Sequence, residues 1–169
     1  MKFSSSTNNI TLGKDFELTF GEAQLSLDRG FMKVGGLLPV SSGLVAPDLS
    51  QGQINTGIRK LIYTVPSLDT PVCEHQIKSV SILLDKGELD DYDIYVISID
   101  TPFAQSRFIK ENCINNKIKF LSDYADHNFM VNTGLRIIEL NIFARAVIKC
   151  DKNNIVDEVL IPKDITQLP

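Results

Sequence analysis

Three short apolar segments, spaced by helix-type patterns, constrain this chain most. "KLIYTV" (60–65) and "DIYVISI" (93–99) are almost unbroken apolar runs, as strands covered on both faces require. "KIKFLSD" (117–123) reads as a third strand. Between the first two, Cys73, Ile77, Val80 and Leu84 fall at i, i+4, i+7 and i+11, one face of a helix that Gly87 should stop. After the second, "TPFAQSRFIKENC" has Thr101 as a candidate N-cap and Pro102 at the first helical position. "DHNFMVNTG" reads as a short helix ending at Gly134, with Asp126 as its N-cap. Buried strands joined by helices imply an α/β fold, with helices packed on a mixed sheet.

Hairpins flank this middle. "DFELTFGEAQLSL" alternates apolar and polar residues on either side of Gly21-Glu22, and a Gly-X turn of type II′ fits. "MKVGGLLPVSSGLVAPDLSQG" is rich in Gly, Pro and Ser and reads as loop with short extended pieces. "FARAVIKC", the turn "DKNN" and "IVDEVLI" predict a closing hairpin. The opening "MKFSSSTNNITLG" is polar where a signal peptide needs an apolar core. Residues 1–13 are therefore expected to be a flexible tail, and 14–169 one domain of a cytoplasmic protein.

A net charge of −4 argues against a nucleic-acid partner, which a basic stripe would announce. Apolar runs such as "GGLLPV" and "RAVI" are far short of the ~20 residues that span a bilayer. Three cysteines (Cys73, Cys113, Cys150) do not make a disulfide framework, and no pair is CxxC. With His75 and His127 they also lack zinc-ligand spacing, so no metal or cofactor is expected.

"PSLDTPVC" holds the chemistry. Pro71 fits the first helical position, which puts Cys73 in the first turn, where unsatisfied N–H groups favour negative charge. Helix starts and nearby cations make cysteines reactive. Thr70 can cap the helix or turn its hydroxyl toward whatever the thiol attacks. The plainer alternative stays open: Cys73 shares a face with Ile77, Val80 and Leu84 and could be ordinary core. His75 lies two residues on and does not face Cys73 on a helix, which disfavours a Cys–His pair.

Pro66, Thr70 and Cys73 spell P-x-x-x-T-x-x-C, and this stretch resembles the active-site signature of the peroxiredoxins, in particular their thiol peroxidase branch. "DTPFAQSRF" (100–108) resembles that branch's second helix region, and "FARAVIKCDKNNIV" (143–156) its arginine-bearing strand and hairpin. The likeness runs from about Phe20 to Pro169. It implies a thioredoxin-like fold with an N-terminal β-hairpin, and a thiol-dependent peroxidase acting on hydrogen peroxide and small alkyl hydroperoxides. A thioredoxin-like donor would recharge the enzyme, and the assembly would be a homodimer. It further implies roles. Cys73 would be the attacking thiolate, Arg145 would stabilise it and the departing oxygen, Thr70 would orient the peroxide and Pro66 would shield the pocket. Taken without the likeness, Arg145 could be an exposed strand-edge arginine.

Two departures stand out. The branch has a resolving cysteine directly after "FAQSRF"; here that position is Ile109, and Cys113 comes four residues later, one helical turn away. Cys113 could resolve Cys73 if the helix unwinds or shifts, or be a buried helix cysteine. Cys150, ending "RAVIKC", reads as a packed structural thiol. The sequence ends in "KDITQLP", where the family continues into a final helix, so one sheet face is expected to show an apolar patch that a partner could cover. A catalytically weak peroxide sensor or redox-binding protein of the same fold is the alternative to the enzyme.

Overall fold

The computed structural model describes residues 16–169, so the tail expected over 1–13 lies outside the described residues. The chain opens with a hairpin, β1 (Leu18–Phe20) and β2 (Ala23–Leu25). Gly21 has φ 58° while Glu22 stays out of the left-handed region, the pattern expected of a Gly-X turn. A long segment of turns and isolated bridges leads to β3 (Arg59–Thr64), α1 (Pro71–Asp85), β4 (Tyr92–Ser98), α2 (Pro102–Glu111), β5 (Ile118–Ser122) and α3 (Asn128–Thr133). Two-residue strands β6 (Arg136–Ile137) and β7 (Ile142–Phe143) follow, then β8 (Ala146–Cys150) and β9 (Val156–Leu160).

The central sheet has the order β5-β4-β3-β8-β9. β3 and β5 pair with β4 in parallel; β8 pairs antiparallel with both β3 and β9. The mixed sheet and flanking helices are those expected. Its central strand β3 needs both faces apolar because each is covered. Leu61 and Tyr63 face α1 and α2, packing with Ile77, Val80, Leu84 and Phe108. Ile62 faces the other way, into a cluster with Leu18, Leu27, Phe129, Met130 and Ile148.

The closing segment also belongs to the core. Ile161 and Ile165 are buried, as are Val147 on β8 and Leu160 on the edge strand β9, so the expected apolar patch does not open there. Backbone bonds Thr19 N–H to Lys163 O and Ile165 N–H to Thr19 O tie this segment to the first hairpin.

Two local readings are corrected. The N-cap of α3 is His127, at φ 56° and without a side-chain cap. The fully buried Asp123 carboxylate caps the helix instead, accepting from Phe129 N and Met130 N at 3.2 and 2.8 Å; Asp126 accepts from Asn128 N. And α2 ends at Glu111, so Cys113 lies beyond the helix, exposed and at φ 49°, not on its buried face.

Candidate active site

The site forms where β3 and β4 end, the side of a parallel sheet on which connecting loops converge. Pro66, buried, follows β3. The next residues are braced from β4: the Asp100 carboxylate accepts from Ser67 Oγ at 3.0 Å and from Leu68 N at 2.9 Å. Thr70 closes the loop in extended geometry as the N-cap of α1, with Pro71 beginning the helix. Its Oγ1 accepts from Cys73 N at 3.4 Å and donates to Ser67 O at 3.1 Å. Of the two uses open to the Thr70 hydroxyl, this structure shows the cap.

Cys73 is fully buried in that first turn, and Arg145 reaches it from the segment between β7 and β8. That segment is held by Thr64, whose hydroxyl donates to Ala144 O at 2.9 Å. Arg145 is only 2% exposed, so the reading of it as a surface arginine does not apply. Its Nη2 donates to Cys73 Sγ at 3.2 Å and to Ile165 O at 3.1 Å; Nε donates to Ile165 O at 3.2 Å, and Nη1 to Gln76 Oε1 at 2.8 Å. Among the described residues no carboxylate forms an ion pair with it. A buried cation needs an anion. Its acceptors here are a carbonyl, an amide and a sulfur, and of these only the sulfur can carry the matching charge.

The structure therefore brings Pro66, Thr70 and Cys73 together on one loop-to-helix turn, and Arg145 onto the same sulfur. It does not bring Cys113 there. Asn115, two residues after Cys113, donates to Ser81 Oγ at 2.8 Å, and Ser81 lies eight residues, about 12 Å of helix, beyond Cys73. Cys73 is buried and Cys113 exposed, both as free thiols, so the local structure has to rearrange before the two can join in a disulfide. Cys150 is buried beside Lys60, its partner in the β3–β8 register, and burial pushes its thiol up to about 12. His75 is exposed. Among the described residues no group of three or more His, Cys, Asp or Glu could hold a metal ion. Sequence reasoning does not single out Gln76, Asp100 or the Ile165 carbonyl. Gln76 offered a signal, a polar residue three positions after Cys73 and beside the apolar stripe of Ile77, Val80 and Leu84. Asp100 and Ile165 meet the site only through folding.

Fold and site together define a thioredoxin-like protein with one thiol, not two, at the start of its first central helix. The model of the Redoxin family matches residues 35–168. A protein named thiol peroxidase from Clostridium acetobutylicum is 36% identical over 157 residues, covering 90% of this chain and 92% of that one. Another of the same name from Staphylococcus saprophyticus is 34% identical, with the same coverage. Among solved structures, a peroxiredoxin-like protein from Aquifex aeolicus superposes with a TM-score of 0.83 at 30% identity, covering 96% of this chain and 92% of that one. The chain belongs to the Redoxin family, in the thiol peroxidase branch of the peroxiredoxins.

Proposed function

We infer that this protein is a thiol-dependent peroxidase that reduces hydrogen peroxide and small alkyl hydroperoxides at Cys73. The observation that carries this is the buried Arg145 guanidinium on the Cys73 sulfur, with no carboxylate among the described residues in an ion pair with it. The thiolate attacks the nearer peroxide oxygen. The O–O bond breaks, sulfur is oxidised to a sulfenic acid, and the other oxygen leaves as hydroxide or alkoxide and is protonated. Arg145 stabilises both the attacking sulfur and the charge growing on the departing oxygen. Thr70 turns its hydroxyl from Ser67 O to the peroxide and orients it, while Pro66 shields the sulfur from water. The relatives named thiol peroxidase support this reading, since the likeness spans nearly the whole of both chains.

Cys113 is the candidate resolving thiol. Its exposure and its place beyond the end of α2 support that role. Its attack on the sulfenic acid would release water and leave a disulfide for a thioredoxin-like donor to reduce. The protein works as a cytoplasmic homodimer whose residues 14–169 act as one domain. No helix among the described residues is long and apolar enough to cross a membrane, and Phe103 and Tyr124, exposed at the sheet end that carries the site, suit a subunit contact.

The test is the mass of the reduced protein after one equivalent of hydrogen peroxide, with peptide mapping and no other thiol present. Loss of two hydrogens, with Cys73 linked to Cys113, is the expected result. Oxygen gained at Cys73 alone would remove Cys113 from the mechanism and leave an external thiol to resolve the enzyme. An unmodified Cys73 would sink the peroxidase reading.

A further inference from the structure

Gln76 is buried, 3% exposed, three residues after Cys73 on α1, and so lies on the same side of the helix. Its Oε1 accepts from Arg145 Nη1 at 2.8 Å. A guanidinium can only donate, so this contact fixes which end of the amide is oxygen. The other end, Nε2, is left buried with no hydrogen-bond partner. Such an orphan donor is costly and calls for a reason. A residue present merely to fill space could be leucine or methionine and avoid the cost. A residue present merely to hold the arginine could be glutamate, the stronger partner through a charge-assisted bond. Glutamate would also take up the guanidinium's charge.

We propose that Gln76 is a positioning residue for the thiol reaction: its neutral amide oxygen holds the Arg145 guanidinium in place without sharing its charge, and so leaves that charge to the Cys73 sulfur. Ile165 O does the same from the opposite side with a second neutral acceptor. The guanidinium is thus clamped by uncharged oxygens, and the sulfur is the one ionisable group among its hydrogen-bond acceptors in the described residues. The inference rests on Cys73 reacting as a thiolate.

The experiment compares wild type with Gln76→Glu and Gln76→Met in the full chain. Three quantities are read: the pH midpoint of Cys73 alkylation by iodoacetamide, the rate of oxidation by hydrogen peroxide, and the thermal unfolding midpoint. Gln76→Glu places a carboxylate on Arg145 and should raise the alkylation midpoint by about one pH unit or more, since charges at this range shift a neighbour by that much. Gln76→Met keeps the volume and removes the hydrogen bond. It should slow oxidation by about tenfold or more, because a misplaced group loses rate steeply. A folded Gln76→Glu protein with the wild-type midpoint overturns the proposal. So does a folded Gln76→Met protein that oxidises at the wild-type rate, and this variant decides alone if the glutamate protein does not fold. Alkylation needs no peroxide. A wild-type protein inert to peroxide would therefore sink the peroxidase reading, while the midpoint shift would still judge the role of Gln76.

Discussion

Arg145 Nη2 sits 3.2 Å from Cys73 Sγ, although 72 positions of chain separate the two residues. The contact exists because β8 lies beside β3: the register that pairs Thr64 with Ala146 sets the residue before β8 against the helix that follows β3. The guanidinium serves four acceptor contacts at once, a geometry that the single ammonium of lysine cannot reproduce. Arg145→Lys should therefore behave almost like a deletion. Its rate constant with hydrogen peroxide should fall on the order of 10²–10³-fold, as when one preorganised donor to a developing charge is lost. Stopped-flow oxidation of Cys73 measures this, and a rate within a factor of two of wild type would exclude Arg145 from the reaction.

Thr70 joins folding to chemistry through one oxygen. It caps α1 at Cys73 N and ties itself to Ser67 O. Thr70→Val should cost about 1 kcal/mol of stability, the usual value of a lost N-cap. It should also slow peroxide reduction by roughly 10- to 100-fold, the worth of one hydrogen bond to a charged group. Thr70→Ser keeps the hydroxyl and should retain both properties. Urea denaturation and the oxidation rate separate the two effects; a valine variant that loses stability but no rate would leave Thr70 as a cap alone.

Much of this was legible before folding. Apolar runs in β3 and β4, and the spacing of Cys73, Ile77, Val80 and Leu84, place the sheet and α1 because burial on two faces or on one stripe imprints its period on the sequence. The strands β6 and β7 are two residues each, too short to carry a period. Pro66, Thr70 and Cys73 are read together because one turn contains them. Arg145 had to be supplied by likeness, since nothing local distinguishes a buried arginine from an exposed one. Asp123 was hidden for another reason: its bonds to Phe129 N and Met130 N skip over the nearer Asp126.

Asp123 makes stability depend on pH. Burial pushes its carboxyl up from 3.8 to about 6, against the pull of the two N–H groups it accepts from. The native state therefore holds a proton between about pH 4 and 6 that the unfolded chain has released. In that window unfolding loses a proton, so this group's contribution is full below about pH 4 and is lost as pH rises through about 6. The slope approaches about 1.4 kcal/mol per pH unit at most. Asp123→Asn should abolish this component. Urea denaturation of both proteins at pH 4.5, 5.5 and 7 should show wild type gaining on the variant as pH falls. A constant difference would mean Asp123 keeps an ordinary carboxylate's titration.

Asp164 ties the first hairpin to the segment that holds Arg145. Its carboxylate accepts from Thr19 Oγ1 at 3.1 Å and Gly21 N at 3.0 Å on the hairpin side, and from Thr166 N at 2.8 Å on its own. Bonds from Thr166 hold this carboxyl below its usual range. Its contribution is accordingly present above the ordinary carboxylate range and is lost as pH falls through its depressed value. Ile165, next in the chain, gives its N–H to Thr19 O and its carbonyl to Arg145. Asp164→Ala should thus act at a distance. The direct loss is modest, about 1 kcal/mol for bonds at a half-exposed site. The larger effect should be local opening: faster hydrogen exchange at Thr19, Gly21 and Ile165, and a slower reaction of Cys73 with peroxide as Arg145 loses its fixed carbonyl. Exchange measured by mass spectrometry alongside the oxidation rate tests the link. Faster exchange with an unchanged rate would show that Cys73 and Gln76 hold the guanidinium without help from the closing segment.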